Sequence, residues 1–160
     1  MILTSDLLAT YKYLLLHGFL HKRVTTRAYE KNFETWSGIL LSLEASLVLG
    51  FDRILEHKKY FGHEFESEEL NDIVKRINNI RKKLVAHIDL QVVKNKDAFL
   101  EKNSFNGTQA IKLIDALKKR AIALQKAFKY QLDVEALFKD QTKRTMNDLD
   151  LWLKSFQEPL

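Results

Sequence analysis

Apolar residues recur at intervals of three and four along almost the whole chain, the spacing of one face of an α-helix. Leu7, Tyr11, Leu14, Leu15, Gly18 and Phe19 form the first stripe. Thr4 or Ser5 stands where a helix N-cap belongs, so a helix is predicted from about Ser5 to His21, with room to continue toward Lys31. Trp36, Leu40, Leu43, Leu47, Phe51 and Ile54 mark a second helix over about Glu34 to His57, and the polar stretch from His57 to Glu66 reads as a loop. The third stripe is the cleanest: Leu70, Ile73, Ile77, Ile80, Leu84 and Ile88. Ser67 offers its N-cap, and Glu68 and Glu69 put negative charge in the first turn, where the helix dipole favours it.

Beyond it the pattern loosens. Between Gln91 and Asn106 only a short helix near Asp97 to Lys102 is expected, followed by a loop at Asn106-Gly107. Thr108 then caps a long helix built on Ile111, Ile114, Leu117, Ala121, Leu124, Phe128 and Leu132. A last helix is expected from about Asp140 to Phe156, with Met146, Leu149, Trp152 and Leu153 as its apolar side. No internal repeat, low-complexity tract or linker divides residues 1–160. The expectation is one all-α domain, an antiparallel bundle of four to five helices.

Composition agrees and narrows the chemistry. Five Gly and one Pro in 160 residues leave little material for turns. The absence of Cys excludes disulfides, thiolate nucleophiles and cysteine-ligated metals. The longest apolar run, Ile39 to Phe51, is broken by Ser42, Glu44 and Ser46 and falls short of the roughly 20 residues a membrane span needs. Asp6 precedes Lys12, so the N-terminus lacks the basic start of a signal peptide. A soluble, cytoplasmic protein with no membrane association is expected. A net charge of +5, from 26 basic and 21 acidic residues, is a mild excess compatible with a polyanionic partner.

That excess is concentrated on the third helix. No acid lies between Ile73 and Ile88, where Lys75, Arg76, Arg81, Lys82 and Lys83 are all basic. Bases toward a helix C-terminus also complement the dipole, which alone accounts for part of the pattern. On a straight helix, Arg81 and His87 lie about 60° to either side of the buried seam and about 9 Å apart along the axis. One straight helix therefore does not join them; a bend, a neighbouring element or a second subunit must.

The string Ile80-Arg81-Lys82-Lys83-Leu84-Val85-Ala86-His87-Ile88-Asp89 resembles the Arg-x5-His signature of the HEPN superfamily, and in particular its abortive-infection branch. Ile80, Arg81, Lys83, Ala86, His87 and Asp89 agree with that branch, whereas Lys82 stands where the family usually carries Asn, Asp or His. The resemblance implies a HEPN-like fold and a metal-independent endoribonuclease, a toxin or phage-defence effector, with no cofactor. It also implies a homodimer in which the Arg and His motifs of two subunits share one cleft, RNA as substrate, and a nucleotidyltransferase-like antitoxin as partner. On it, His87 is the general acid/base, Arg81 the phosphate clamp, Lys82 and Lys83 RNA-binding cations, and Asp89 the group that orients the imidazole. The residue types suit the chemistry: imidazole moves protons near neutral pH, and guanidinium takes a phosphate through two parallel hydrogen bonds. HEPN-like domains also serve as catalytically inert dimerisation or interaction modules, which is the alternative.

The other histidines carry less. His17 and His21 share a helix face at the spacing of two metal ligands. Their nearest acids in sequence are Asp6 and Glu30, and no H-E-x-x-H pattern is present. They read as structural or surface histidines, with no metal, and His57 and His63 read as solvated. Glu68-Glu69, Asp148 and Asp150 read as helix-end or surface charges, and no glycine-rich phosphate loop or serine elbow occurs.

Overall fold

Each strong apolar stripe becomes a helix. A computed structural model describes residues 2–23, 32–57, 64–85, 96–129 and 131–155. Helix α1 spans Ile2–Arg23, α2 Phe33–Glu56, α3 Glu68–Ile80, α4 Lys96–Asn103, α5 Gly107–Ala127 and α6 Val134–Ser155. No strand occurs among the described residues, and the fold is an all-α helical bundle. Among the described residues five helices make the bundle, and α4 is a short addition against α3. No helix among the described residues is long and apolar enough to cross a membrane.

Cross-helix contacts fix the directions. Asp6, Thr10 and His17 of α1 meet Arg53, Gly50 and Glu44 of α2 in reverse order, so these helices are antiparallel. Tyr11 meets Phe138 and Thr142, while Leu20 packs with Leu149, so α1 and α6 run the same way. Lys118 lies over the Phe138 ring and Gln125 accepts from the Val134 amide, which turns α6 back against α5. Lys112 pairs with Glu69, and Arg120 donates to the Glu64 carbonyl just before α3, so α3 and α5 are antiparallel. Helices α1 and α6 therefore oppose α2, and α5 opposes α3 and α6.

The main core joins Leu7 and Leu14, Leu47 and Phe51, Ile73 and Ile77, Leu113 and Leu117, and Val134 and Phe138, one pair from each bundle helix. Burial of each such side chain is worth about 1.5–3 kcal/mol against the entropy of ordering it. At Gly50 the α1–α2 contact is close: a Cβ there would stand 3.1 Å from Thr10 Cβ and Cγ2 and nearer still to its Oγ1.

Several boundaries differ from the sequence expectation. Ser67 does cap α3, accepting from the Leu70 amide at 3.4 Å. On α5, however, the cap is Asn106 and not Thr108: Asn106 Oδ1 accepts from the Gln109 amide while Gln109 Oε1 accepts from the Asn106 amide, a reciprocal capping box. Gly107 thus begins the helix. Ile111, Phe128 and Leu132 are exposed, and Ala110 and Leu113 supply the buried positions in their place. Helix α6 begins at Val134, six residues before the expected Asp140, because Asp133 Oδ1 accepts from the Ala136 amide. Of its expected apolar side, Leu149 is buried while Met146 and Trp152 are partly exposed. His57, expected to be solvated, is half-buried at the C-cap of α2.

The largest departure is at the end of α3. The regular helix stops at Ile80, and Arg81–Val85 form a π turn. Hydrogen bonds in such a turn reach one residue further than in an α-helix, so its side chains leave the straight 100° wheel. The continuation of α1 toward Lys31, and His63, Ala86, His87, Ile88 and Asp89, lie outside the described residues.

Candidate functional site

The basic string sits where α3 meets the C-terminal half of α2. Asn79 Nδ2 donates to Asn103 Oδ1 at 2.9 Å and Arg76 Nη1 to the Ser104 carbonyl at 3.1 Å, tying α3 to α4 and the residues after it. Phe105 packs edge-on to Phe51 of α2. With α3 held on that side, Arg81 reaches α2.

There it meets two carboxylates one helical turn apart. Arg81 Nε lies 3.0 Å from Asp52 Oδ2, and Nη2 lies 3.5 Å from Glu56 Oε1. The two acids differ sharply in setting. Asp52 is 7% exposed, the one charged residue among the buried described residues, while the Glu56 side chain is 64% exposed. Burial pushes the Asp52 carboxyl above its ordinary value, and the Arg81 charge pulls it part of the way back. Glu56 raises it further and Lys82 lowers it, so four charged groups share one field. Lys82 and Lys83 are exposed on the π turn. The structure thus describes Arg81, Lys82 and Lys83 of the expected site; His87 and Asp89 fall outside the described residues.

Asp52 and Glu56 were not singled out by the sequence reading. A signal existed: acids at positions 52 and 56 share one side of α2, and Asp52 follows directly on the buried Phe51. Only the three-dimensional packing shows that the second side of that pairing is Arg81.

A second polar group joins α1 to α2. His17 Nε2 is 3.2 Å from Glu44 Oε1, and the His17 and His21 rings meet edge to face at 5.0 Å. The hydrogen bond with His17 is the main reason the Glu44 carboxyl lies below its ordinary value of 4.5. Sequence distance concealed this acid, which is 27 residues from His17. Even so, among the described residues no three His, Cys, Asp or Glu side chains are grouped to hold a metal ion.

An open groove of about 360 Å³ lies between α1, α2 and α6, lined mainly by Leu16, Leu20, Ile39, Leu43, Leu149 and Trp152. Trp36 and Trp152 stand edge to face near it, with ring centres 6.0 Å apart. It lies about 15 Å along α2 from Asp52 and does not include the Arg81 cluster.

No protein-family model, curated protein or solved structure matches this chain.

Proposed function

We propose that this protein is a HEPN-like, metal-independent endoribonuclease, a toxin or phage-defence effector that acts through Arg81 and His87 at a dimer cleft. The observation that carries the reading is the setting of Arg81. A buried carboxylate holds its Nε, and it opens a π turn from which Lys82 and Lys83 reach solvent. Turns of this kind occur frequently at functional sites, and the cations supply the attraction a phosphodiester backbone requires.

In the reaction, the RNA 2′-hydroxyl attacks the adjacent phosphorus and the 5′-oxygen leaves. A 2′,3′-cyclic phosphate and a 5′-hydroxyl result. His87 takes the proton from the 2′-hydroxyl or delivers one to the leaving oxygen, with the second subunit's copy serving the other role. Arg81 stabilises charge on the non-bridging oxygens, Lys82 and Lys83 bind flanking phosphates, and Asp89 orients His87.

One observation favours the second reading, a catalytically inert HEPN-like dimerisation or interaction module. Both acids on α2 engage Arg81, as they would if its role were only to fasten α2 to α3. Cleavage of mixed-sequence RNA by wild type, Arg81→Ala and His87→Ala, all in excess chelator, decides between them. The ribonuclease reading expects wild-type cleavage to survive chelation and each variant to lose at least about 100-fold, the lower range for removing an acid–base group. Equal inactivity of all three on varied RNAs would leave the inert module.

A further inference from the structure

Two carboxylates on one guanidinium need not do the same job. Arg81 has five N–H donors in a planar fork, and Asp52 and Glu56 approach different nitrogens of it. The Asp52 contact is shorter, 3.0 Å against 3.5 Å, and its side chain is 10% exposed against 64% for Glu56. Breaking the inner contact strands a charge in the interior, which is strongly unfavourable. Breaking the outer one returns Glu56 to water, and exposed pairs of this kind contribute little. The outer contact is therefore the one that exchanges.

We infer that Asp52 is a positioning residue that fixes Arg81 through Nε, and that Glu56 rests on the Nη2 side as a displaceable stand-in for a phosphate oxygen. A phosphodiester of single-stranded RNA then binds by expelling Glu56. Carboxylate and phosphate oxygens accept from the same guanidinium fork, and the Lys82 and Lys83 charges beside it favour the polyanion over a single carboxylate. That the incoming anion is RNA rests on the ribonuclease reading. The division of labour between Asp52 and Glu56 rests on their distances and burial.

Binding of a fluorescein-labelled 2′-O-methyl oligouridylate, which cannot be cleaved, tests this at low salt on the full chain. Glu56→Gln is expected to tighten binding about two- to fivefold, the factor corresponding to one exposed ion pair. The gain should vanish in the Arg81→Ala background. Asp52→Asn also removes a negative charge, so electrostatics alone expects tighter binding; a positioning role expects weaker binding and loss of the Glu56→Gln gain in the double variant. Far-UV circular dichroism establishes that each variant is folded, and the Glu56 and Arg81 pair decides if Asp52→Asn is not. A Glu56→Gln gain that persists without Arg81, or tighter binding by Asp52→Asn, overturns the inference and leaves the ribonuclease reading standing. Binding that is absent, or indifferent to Arg81, overturns both.

Discussion

Asp52 and Glu44 show how neighbouring helices give opposite meanings to the same functional group. Burial raises the Asp52 carboxyl, so the folded state holds that proton more tightly than the unfolded chain. Its contribution to stability is full below its ordinary value of 3.8 and is lost as pH rises through the folded value. Glu44 is shifted the other way, chiefly by its hydrogen bond with His17. Its contribution is present above 4.5 and is lost as pH falls through the depressed folded value. Glu44→Gln should therefore lose less stability than wild type as pH falls from above 4.5 through that value. Urea unfolding across the acid range measures this; parallel losses in the two proteins would show that the His17–Glu44 contact has no linkage to folding.

Single residues also set the boundaries between elements. Asn106 and Gln109 satisfy each other's backbone amides at the start of α5. Asn106→Ala should lower stability by about 0.5–2 kcal/mol, the usual range for a lost N-cap, whereas Thr108→Ala should have little effect. Thermal unfolding of the two variants separates the cap from its neighbour. At the α1–α2 crossing, Gly50→Ala should cost about 1–3 kcal/mol by overpacking against Thr10. Part of that loss should be recovered with Thr10→Ala, and additive losses in the double variant would refute the proposed contact.

These elements were legible to different degrees. The stripes of α1 and α2, and that of α3 as far as Ile80, face the two core clusters, so their three-and-four spacing read correctly over that length. The Leu84 side chain and Ile88 lie outside the described residues. On α5, Ile111 and Phe128 extend the same spacing yet are exposed, because periodicity does not say where a partner helix ends. Helix α6 starts at Val134 because a side-chain cap and the packing of Val134 and Phe138 on the core extend it backwards. The π turn had no compositional signal: nothing in Arg81-Lys82-Lys83-Leu84-Val85 marks a widened turn. Of the candidate site, the basic half was visible as a run in one helix. The acidic half, Asp52 and Glu56, was hidden because pairing across 25 residues or more depends on how α2 and α3 pack.

At the scale of the whole molecule, the packing of α3 on α2 brings the π turn that follows α3 against the C-terminal end of α2. There Arg81 meets both Asp52 and Glu56. The apolar groove by Trp152 lies well along α2, so the two features are separate parts of the surface. A modest net charge thus becomes local: Lys82 and Lys83 reach solvent beside an arginine that a buried acid holds in place. The central claim is that this arrangement serves RNA cleavage by the substrate's own 2′-hydroxyl, without metal. Analysis of product ends from RNA incubated with the purified protein in excess chelator tests it most directly. The account predicts 2′,3′-cyclic phosphate and 5′-hydroxyl ends, abolished by Arg81→Ala and by a 2′-deoxy substitution at the cut site. Ends bearing a 5′-phosphate and a 3′-hydroxyl, or cleavage that stops when chelator is added, would contradict it.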